Sequence, residues 1–481
     1  MRLNYFLFLV FVFSFYISVF SFGNPVNSKL FPQDTSNTKS SIDFFVIQQI
    51  QLIGNKITKP QIIYRELLFK ENDTIAIIDI KNRIEQSRKN ILNTSLFNFV
   101  TIDTIIQPEN RLCIHINLTE RWYIWPSLYL KINERNFNTW WETKDLSKLD
   151  YGIYFSWENF RGRKESLMFM FKKGYDELYG ISYKIPYINK RKTIGLGISG
   201  GFSGNHEVPY NTAENHQLFY KEKEQYLVKN IFSTFHVVYR KGIFSTHTFH
   251  LSYNDYLFSD TLNHLNPDFS LINHLQYFTF FYLFKRDHRD IKAYPLNGNY
   301  FDLEVVKHGF NLLKREKINM AFIHASYRKY WEISKRWYYA GGVNTKISTS
   351  AFQPYFLGQG LGYGNDYVRA YEYYVIDGQN FIVGKSNLKF AIIPTKVKKI
   401  PFIPFRKFSL LHYSLYTNLL VDVGYAYDRQ GSINNKLSNT FLFGTGIGLD
   451  FVTYYDKVFR FEYSINKLGE NGFFVHFVAP I

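Results

Sequence analysis

Cysteine is nearly absent from this sequence of 481 residues, which contains only Cys113. A chain with one cysteine cannot form a disulfide bond within itself, and we expect Cys113 to be a small buried residue in a strand. Long apolar runs are also scarce: the sequence has one, which ends near Phe22. With a mean hydropathy of −0.22, the sequence excludes a bundle of membrane-spanning helices.

Motifs of catalysis and cofactor binding are missing as well. The sequence has no HExxH motif and no phosphate-binding loop. The glycine-rich stretch GTGIGLD (444–450) shows a strand pattern with no helix after it, so we interpret its glycines as allowing the sheet to bend. His247 and His250 are three residues apart and would lie on opposite faces of a strand. We therefore predict no enzymatic activity, no cofactor and no metal site.

Basic residues outnumber acidic ones by 57 to 40, which gives a formal net charge of +17. They are spread singly or in short runs such as NKRK (189–192) and KVKK (396–399). No motif of a nucleic-acid-binding protein accompanies them, so we expect no nucleic-acid partner. Basic turns beside a lipid surface are the preferred interpretation.

Aromatic residues, in contrast, are abundant: 48 Phe and 38 Tyr help to bring the aromatic fraction to 19%. Many alternate with polar residues, and in VFRFEYSI (458–465) Phe459, Phe461 and Tyr463 share one face of a strand. High aromatic content with low mean hydropathy is typical of transmembrane β-barrels. Sixteen candidate strands begin near residues 124, 150, 164, 177, 192, 226, 243, 272, 298, 317, 336, 379, 408, 439, 457 and 472.

Single-chain bacterial barrels have an even number of antiparallel strands, so the count of sixteen favours a closed barrel. Closure is also expected because an open sheet edge is costly in lipid. The alternative, a soluble propeller or double sandwich, needs a repeated blade motif that the sequence lacks. Short turns such as RKG (240–242) alternate with long segments at 204–225 and 348–378, as they do in outer-membrane barrels. We therefore predict a membrane β-barrel of sixteen antiparallel strands over residues 123–481.

The chain before the barrel is predicted to have three parts. Residues 1–22 have a basic start and an apolar run, which indicates a signal peptide cleaved near Ser21 and export of the chain. An anchor helix that just spans a bilayer is the alternative interpretation of this run. Residues 23–42 are rich in Ser, Asn, Thr and Pro and are typical of a linker. The third part, residues 43–122, has mixed strand and helix patterns.

Residues 43–122 are predicted to form a small α+β domain with the order β-α-α-β-β. Apolar residues recur at helical spacing over residues 59–69, where Pro60 lies in the first turn, and again over residues 79–92. One face of the second predicted helix carries Ile80, Ile84, Ser87 and Ile91.

Several stretches, taken in chain order, resemble the BamA/TamA superfamily of outer-membrane assembly barrels, also called the bacterial surface antigen family. Four of them are similar to a single POTRA domain: IQLIGNKIT (50–58), IIYREL (62–67), SLFNFVTID (95–103) and INLTER (116–121). The motif residues within them are Gly54, Asn55, Arg65, Glu66, Leu67 and Phe97. Six further stretches resemble the family's barrel: SWENFRGR (156–163), YKIPYI (183–188), KRDHRDIKAYPLNGNYFDLEV (285–305), VDVGYAYD (421–428), GIGLDF (446–451) and FRFEYSI (459–465).

The most specific match is VRAY, Val368 to Tyr371, which occupies the place of the family's Val-Arg-Gly-aromatic motif in its longest extracellular loop. The resemblance implies that this loop folds into the barrel lumen and that Arg369 pairs with Asp422 on a neighbouring strand. A guanidinium keeps its charge and binds a carboxylate through two hydrogen bonds, so the pair would latch the loop to the wall. The alternative is a solvated Arg369 with no structural role.

Three departures from the family pattern bear on this latch and on assembly. Ala370 stands where the family has glycine, so a backbone with positive φ would be strained there. Lys389 stands where several relatives have an acidic residue, so a second carboxylate for Arg369 is expected to be missing. The chain also ends in FVHFVAPI (474–481) instead of on an aromatic residue.

The resemblance implies an assembly factor in the outer membrane of a Gram-negative bacterium, with its POTRA domain in the periplasm. The POTRA domain would capture unfolded outer-membrane protein clients at its sheet edge, and accessory periplasmic or lipoprotein partners are expected. The barrel would admit clients to the lipid bilayer through a weak seam between its first and last strands. The predicted seam residues are Trp125, Leu128, Leu130, Phe473, Val475 and Phe477. A polypeptide secretion pore of the two-partner type and a plugged, porin-like structural barrel are the alternatives.

Overall fold

The computed structural model describes residues 44–132, 140–142, 144, 149–350, 352–399, 410–430, 435–453 and 457–477. The predicted signal peptide (1–22) and linker (23–42) lie outside the described residues, as does the end of the predicted last strand. Among the described residues, no helix is both long and apolar enough to cross a membrane.

The N-terminal domain is a four-stranded sheet covered by two helices. Its elements are β1 (Phe44–Ile53), α1 (Pro60–Tyr64), β2 (Thr74–Ala76), α2 (Ile77–Leu92), β3 (Phe97–Gln107) and β4 (Arg111–Glu120). The strand order is β2-β1-β4-β3, with β1 parallel to β4 and the other pairs antiparallel. Ile47, Ile63, Ile91 and Ile114 are fully buried between the sheet and the helices and form the core of the domain.

One predicted helix boundary and one detail of the predicted order β-α-α-β-β are wrong. The first helix ends at Tyr64 instead of Phe69, although Leu67 and Phe69 are buried in the core. The helical spacing of Leu67 therefore comes from a turn that follows the helix. The three-residue strand β2, which pairs with β1, was not predicted because it is too short to show an alternating pattern.

The second predicted helix, Asp79–Leu92, corresponds to α2, which begins two residues earlier, at Ile77. Ser87 and Ile91 on its predicted inner face are buried, and Ile80 and Ile84 pack against the core. Cys113 is buried in β4, as its position in a strand pattern led us to expect.

Eighteen strands follow among the described residues. They are β5 (Ile124–Ile132), β6 (Leu149–Phe160), β7 (Glu165–Gly174), β8 (Asp176–Ile185), β9 (Ile194–Asn205), β10 (Glu207–Ala213), β11 (His216–Lys221), β12 (Val228–Tyr239), β13 (Ser245–Phe258), β14 (His274–Asp287), β15 (Gly298–His308), β16 (Met320–Glu332), β17 (Trp337–Ser348), β18 (Asn380–Lys399), β19 (Leu410–Tyr427), β20 (Phe441–Thr453), β21 (Lys457–Asn466) and β22 (Asn471–His476).

Sixteen of these strands form one antiparallel sheet, in which each strand pairs with the next and β9 pairs with β12. The predicted membrane β-barrel of sixteen antiparallel strands is therefore confirmed, and each strand begins within three residues of its predicted start. Strands β10 and β11 form a separate hairpin within the segment 204–225, which was predicted only as a long loop. A short helix, α3 (Asp260–Leu265), lies in the connection between β13 and β14.

The two faces of the barrel sheet differ in polarity in the way a lipid-embedded barrel requires. Along β21, Arg460, Glu462 and Ser464 are buried, whereas Phe461 and Tyr463 are exposed. A water-soluble sheet would bury the apolar face instead. An apolar outer face and a polar inner face are the pattern of a transmembrane barrel.

Candidate functional site

Arg369 lies in the connection between β17 and β18 and is only 1% exposed. Its Nε donates a hydrogen bond to Asp422 Oδ2 at 2.8 Å, and its Nη2 donates to Asp422 Oδ1. The Arg369 backbone N–H also donates to Asp422 Oδ2, at 3.1 Å. Because Asp422 is a fully buried residue of β19, these three bonds fix both the side chain and the backbone of the loop against the inner wall.

A second acceptor for Arg369 is an amide. The guanidinium Nη1 donates to Asn387 Oδ1 on β18 at 2.6 Å. Lys389 lies two residues after Asn387 on the same face of β18 and is 1% exposed. Its Nζ is 4.4 Å from the centre of the Tyr294 ring. Lys389 stands where a second carboxylate was expected to be missing, and Arg369 binds the Asn387 amide oxygen as its second side-chain acceptor.

The backbone at the loop tip fits against two glycines of the wall. A Cβ atom at Gly444 of β20 would overlap the carbonyl oxygen of Arg369, and one at Gly424 of β19 would overlap Val368. The expectation that the glycines of 444–450 serve to bend the sheet was therefore incomplete, because Gly444 makes room for the loop. Ala370 has φ +69°, a left-handed conformation that glycine adopts more readily than alanine.

The residues on either side of Arg369 provide an apolar anchor. Val368 and Tyr371 are 1% and 2% exposed and belong to one buried cluster with Phe381 of β18 and Leu442 of β20. Beyond the cluster, Asn466 of β21 donates from Nδ2 to the Ala370 carbonyl oxygen at 3.0 Å. The loop tip thus contacts four consecutive strands, β18 to β21.

A second buried ion pair lies beside the first and was not predicted. Arg460 of β21 donates to both carboxylate oxygens of Asp450 on β20, at 2.6 and 2.8 Å. The Tyr294 hydroxyl also donates to Asp450, at 2.7 Å. Because Asp450 and Arg460 stand directly opposite each other in the β20–β21 ladder, the pair could have been found from strand register but not from either motif alone.

The predicted seam residues lie on the two strands at the ends of the sheet order, β5 and β22. Trp125 and Leu128 on β5 are 37% and 82% exposed, and Phe473 on β22 is 60% exposed. Val475 lies on β22 and Phe477 directly after it, whereas the side chain of Leu130 lies outside the described part of the structure. A role of these residues in opening the barrel stays a prediction.

The predicted POTRA motif residues divide into two groups. Gly54, with φ +95°, has no room for a Cβ because the carbonyl oxygen of Leu118 lies against it, and the neighbouring Asn55 donates from Nδ2 to the Thr58 carbonyl oxygen at 3.2 Å. Leu67 and Phe97 are buried in the domain core. This first group maintains the fold of the domain.

Arg65 and Glu66 form the second group and bind the barrel. Glu66 accepts hydrogen bonds from Nη1 and Nη2 of Arg240, at 2.6 and 2.8 Å. Arg240 lies in the turn between β12 and β13. Arg65 donates to the carbonyl oxygens of Arg240, at 2.6 Å, and Lys192, at 2.9 Å. Burial alone would raise the pKa of Glu66, but the hydrogen bonds and charge of Arg240 outweigh burial and hold this pKa below its usual value.

Two other barrel turns complete the docking of the N-terminal domain. The Lys59 N–H donates to the Gly162 carbonyl oxygen at 2.9 Å, in the turn between β6 and β7. Asn93 donates to the Asp290 carbonyl oxygen at 3.0 Å and accepts from the Lys292 N–H at 3.1 Å, in the connection between β14 and β15. The domain is therefore fixed to four turns at one end of the barrel, those after β6, β8, β12 and β14.

A cavity of about 480 Å³ lies between the docked domain and the barrel wall. Its acidic lining residues are Glu66 and Asp287. The basic residues that line it are Lys164, Lys184, Arg240, Lys285, Arg289 and Lys292. The cavity is therefore strongly basic at the end of the barrel that the domain covers.

Comparisons with known proteins agree with this architecture. Residues 45–121 match the POTRA family model, described as a surface antigen variable number repeat. CdiB from Escherichia coli has a similar structure, with a TM-score of 0.53 and 11% identity over 90% of this chain and 75% of that one. BamA from Haemophilus ducreyi, crystallised without POTRA domains 1–3, gives a TM-score of 0.48 and 13% identity over 88% and 81% of the two chains. No curated protein matches the chain in sequence.

These findings define a class of protein, one in which a POTRA domain precedes a sixteen-stranded barrel. The chain has the fold that its motifs predicted, a POTRA domain followed by a β-barrel similar to that of CdiB. At 11% identity, the likeness to CdiB shows the fold and not the activity.

Proposed function

We propose that this protein assists the assembly of β-barrel proteins in the outer membrane of a Gram-negative bacterium, with its POTRA domain in the periplasm. The observation that carries the proposal is the position of the loop tip. Through Asn387, Asp422, Gly444 and Asn466 it contacts the four strands β18 to β21, which lead to the last strand of the sheet. Strands β18 to β21, held by the loop from inside the barrel, can keep their pairing register while the contact between the first and last strands opens.

The seam is proposed to lie between β5 and β22, the two strands at the ends of the sheet order. β22 has six residues and β5 has nine. A ladder limited by the six-residue β22 has fewer hydrogen bonds than a ladder between two longer strands, and its opening therefore costs less free energy. A client strand could then pair with the exposed edge.

The POTRA domain is proposed to capture clients along β3. This strand is at one end of the domain sheet, whose order is β2-β1-β4-β3. It has eleven residues, and its side chains Ile105 and Ile106 are 47% and 67% exposed. A long edge strand with exposed apolar side chains can bind an extended peptide as an added strand.

Depletion of the protein, followed by proteomics of the outer membrane, tests this function. We expect a broad decrease in barrel proteins. Loss of one secreted protein with normal barrel levels would contradict the proposal and support a secretion pore. An unchanged outer-membrane proteome would also contradict it and support a plugged structural barrel.

A further inference from the structure

Three potential metal ligands from distant parts of the sequence meet beside the loop tip. Glu372 follows Arg369 in the loop, Glu462 lies on β21 and His476 is the last residue of β22. One ligand atom of each lies within 4.8 Å of the other two. His476 Nε2 is 3.6 Å from Glu372 Oε1. The 104 residues that separate Glu372 from His476 explain why no sequence motif announced this cluster.

The cluster contains buried polar atoms that have no hydrogen-bond partner. Glu462 is 0% exposed, and neither of its carboxylate oxygens accepts a hydrogen bond in the described structure. His476 Nε2 is also without a hydrogen-bond partner, in a side chain that is 10% exposed. Burial of such groups is costly unless a partner compensates them. A bound cation in their midst would provide that partner.

The nearest basic side chains already have other acceptors. Arg369 binds Asp422 and Asn387, and Arg460 binds Asp450. Lys385 Nζ lies 3.9 Å from Asp422 Oδ2. Glu462 is therefore not neutralised by a direct ion pair with these groups, and a divalent cation would balance the carboxylates of the cluster.

The donor set fits zinc. Zn²⁺ binds imidazole nitrogen at about 2.0–2.1 Å and carboxylate oxygen at about 2.0–2.2 Å, so neighbouring ligand atoms in a tetrahedron are about 3.4 Å apart. The 3.6 Å between His476 and Glu372 agrees with this spacing, and separations up to 4.8 Å close by small side-chain rotations. Mg²⁺ prefers an octahedron of oxygen ligands and suits the imidazole poorly.

The other ring nitrogen of His476 has a partner of the kind that orients metal-bound histidines. Its Nδ1 lies 3.5 Å from the Tyr367 hydroxyl, and the two rings stack with centroids 5.9 Å apart. With the proton on Nδ1, the lone pair of Nε2 points toward the carboxylates. Such outer partners fix the tautomer and orientation of a ligating histidine.

We propose that Glu372, Glu462 and His476 form a Zn²⁺ site that joins the lumenal loop to the last two strands of the barrel. Three protein ligands leave a fourth position for water. The ion would add a second connection between the loop and the wall, next to the Arg369–Asp422 pair. Unlike that pair, it reaches β22, the strand at the proposed seam.

Zinc titration of the full-length protein, purified in detergent and stripped of metal with a chelator, tests the site. We expect one tight Zn²⁺ site per chain by calorimetry and by elemental analysis. Loss of a residue that only orients a ligand lowers metal affinity about 10–100-fold. Glu462→Gln and His476→Gln each remove a ligand and should lower the zinc affinity by more than this. Mg²⁺ at the same concentration should not compete. Co²⁺ bound in place of zinc should give the visible spectrum of a four- or five-coordinate ion.

His274→Gln is the matched control, because His274 pairs with Asp255 on other strands and its loss should leave the tight site intact. Glu372→Gln is the variant to use if the strand variants do not fold, since Glu372 lies outside the barrel ladders. Equal zinc binding by the wild type and all folded variants would indicate an adventitious ion only and would overturn the proposal. The absence of a tight site in the folded wild type would overturn it as well.

Discussion

At the scale of single residues, the buried charge of Arg369 is the central feature of the lumenal loop. The guanidinium makes two hydrogen bonds to Asp422 and one to Asn387, away from solvent. Its partner Asp422 could be named from the VRAY and VDVGYAYD stretches by family resemblance, but Asn387 could not. The sequence around Asn387 is an ordinary alternating strand, and only the three-dimensional register of β18 brings this amide to the loop.

Arg369→Ala should destabilise the barrel by about 3–5 kcal/mol, because it leaves the Asp422 carboxylate buried without its partner. The free energy of unfolding, measured by urea titration of the protein in detergent micelles, checks this value. Arg111→Ala is the control, since Arg111 and Glu109 form an exposed pair whose loss should cost less than about 1 kcal/mol. Equal effects of the two substitutions would show that Arg369 does not carry a buried charge pair.

Ala370→Gly should stabilise the protein, by up to about 1.6 kcal/mol. Alanine in the left-handed region is strained by about 1–2 kcal/mol, and the greater freedom of glycine in the unfolded chain offsets about 0.4–1 kcal/mol of the gain. The same urea titration measures the change. Gly444→Ala provides the opposite case, because its Cβ would overlap the Arg369 carbonyl oxygen and should destabilise the loop. A destabilising Ala370→Gly would contradict the left-handed conformation of Ala370.

At the scale of elements, the strands were more predictable than the helices and loops. Each barrel strand has an alternating or apolar run of at least six residues, which the two-residue period detects. The end of α1 was missed because Leu67 is buried by a turn after the helix and lies at helical spacing from Ile63. The β10–β11 hairpin was missed because its polar side chains, such as Asn211 and Gln217, resemble those of a loop.

The docking of the N-terminal domain should weaken in acid. The folded-state pKa of Glu66 lies below its unfolded value, so the carboxylate contributes stability above about pH 4.3, the usual pKa of glutamate. That contribution is lost as the pH falls from there through the folded-state pKa. Distances between spin labels on the domain and on the β12–β13 turn should therefore broaden below about pH 4.

Glu66→Gln is the variant for this experiment. It should broaden the label distances already at pH 7, because hydrogen bonds between Arg240 and a charged partner are worth about 1.5–3 kcal/mol. The variant should show little further change in acid. If acid broadens the distances equally in both proteins, a group other than Glu66 controls the docking.

Client capture along β3 predicts that charge on this edge reduces binding. Ile105→Lys and Ile106→Lys should each lower the affinity for an extended peptide from a barrel protein about tenfold, because they remove exposed apolar contacts of about 1–2 kcal/mol. Fluorescence anisotropy of a labelled peptide measures the affinity. Ile78→Lys is the matched control, since Ile78 is 84% exposed but lies on α2. Equal loss in all three variants would contradict capture at β3.

At the scale of the whole molecule, the barrel is constrained from two sides. The loop tip is fixed to β18–β21 from within, and the N-terminal domain is fixed to four turns at one end. The sequence predicted both parts but not their contact, because Arg240 lies in a basic turn, RKG, that gives no sign of a glutamate 174 residues away. Long-range ion pairs of this kind follow from the fold and not from local pattern.

Ion conductance across a planar bilayer reports on both constraints together. The wild type should be mostly closed, whereas Arg369→Ala combined with Glu66→Gln should show frequent open events, because both the loop and the docked domain are released. Each single variant should give an intermediate result. A double variant that conducts no more than the wild type would show that the loop and the domain do not obstruct the lumen.

The most direct test of the assembly function is the folding of a urea-denatured outer-membrane barrel into lipid vesicles that contain this protein. We predict that vesicles with the wild type accelerate folding relative to empty vesicles, and that vesicles with the Arg369→Ala variant do so less. Folding at the same rate in empty vesicles and in vesicles with the wild type would contradict the account.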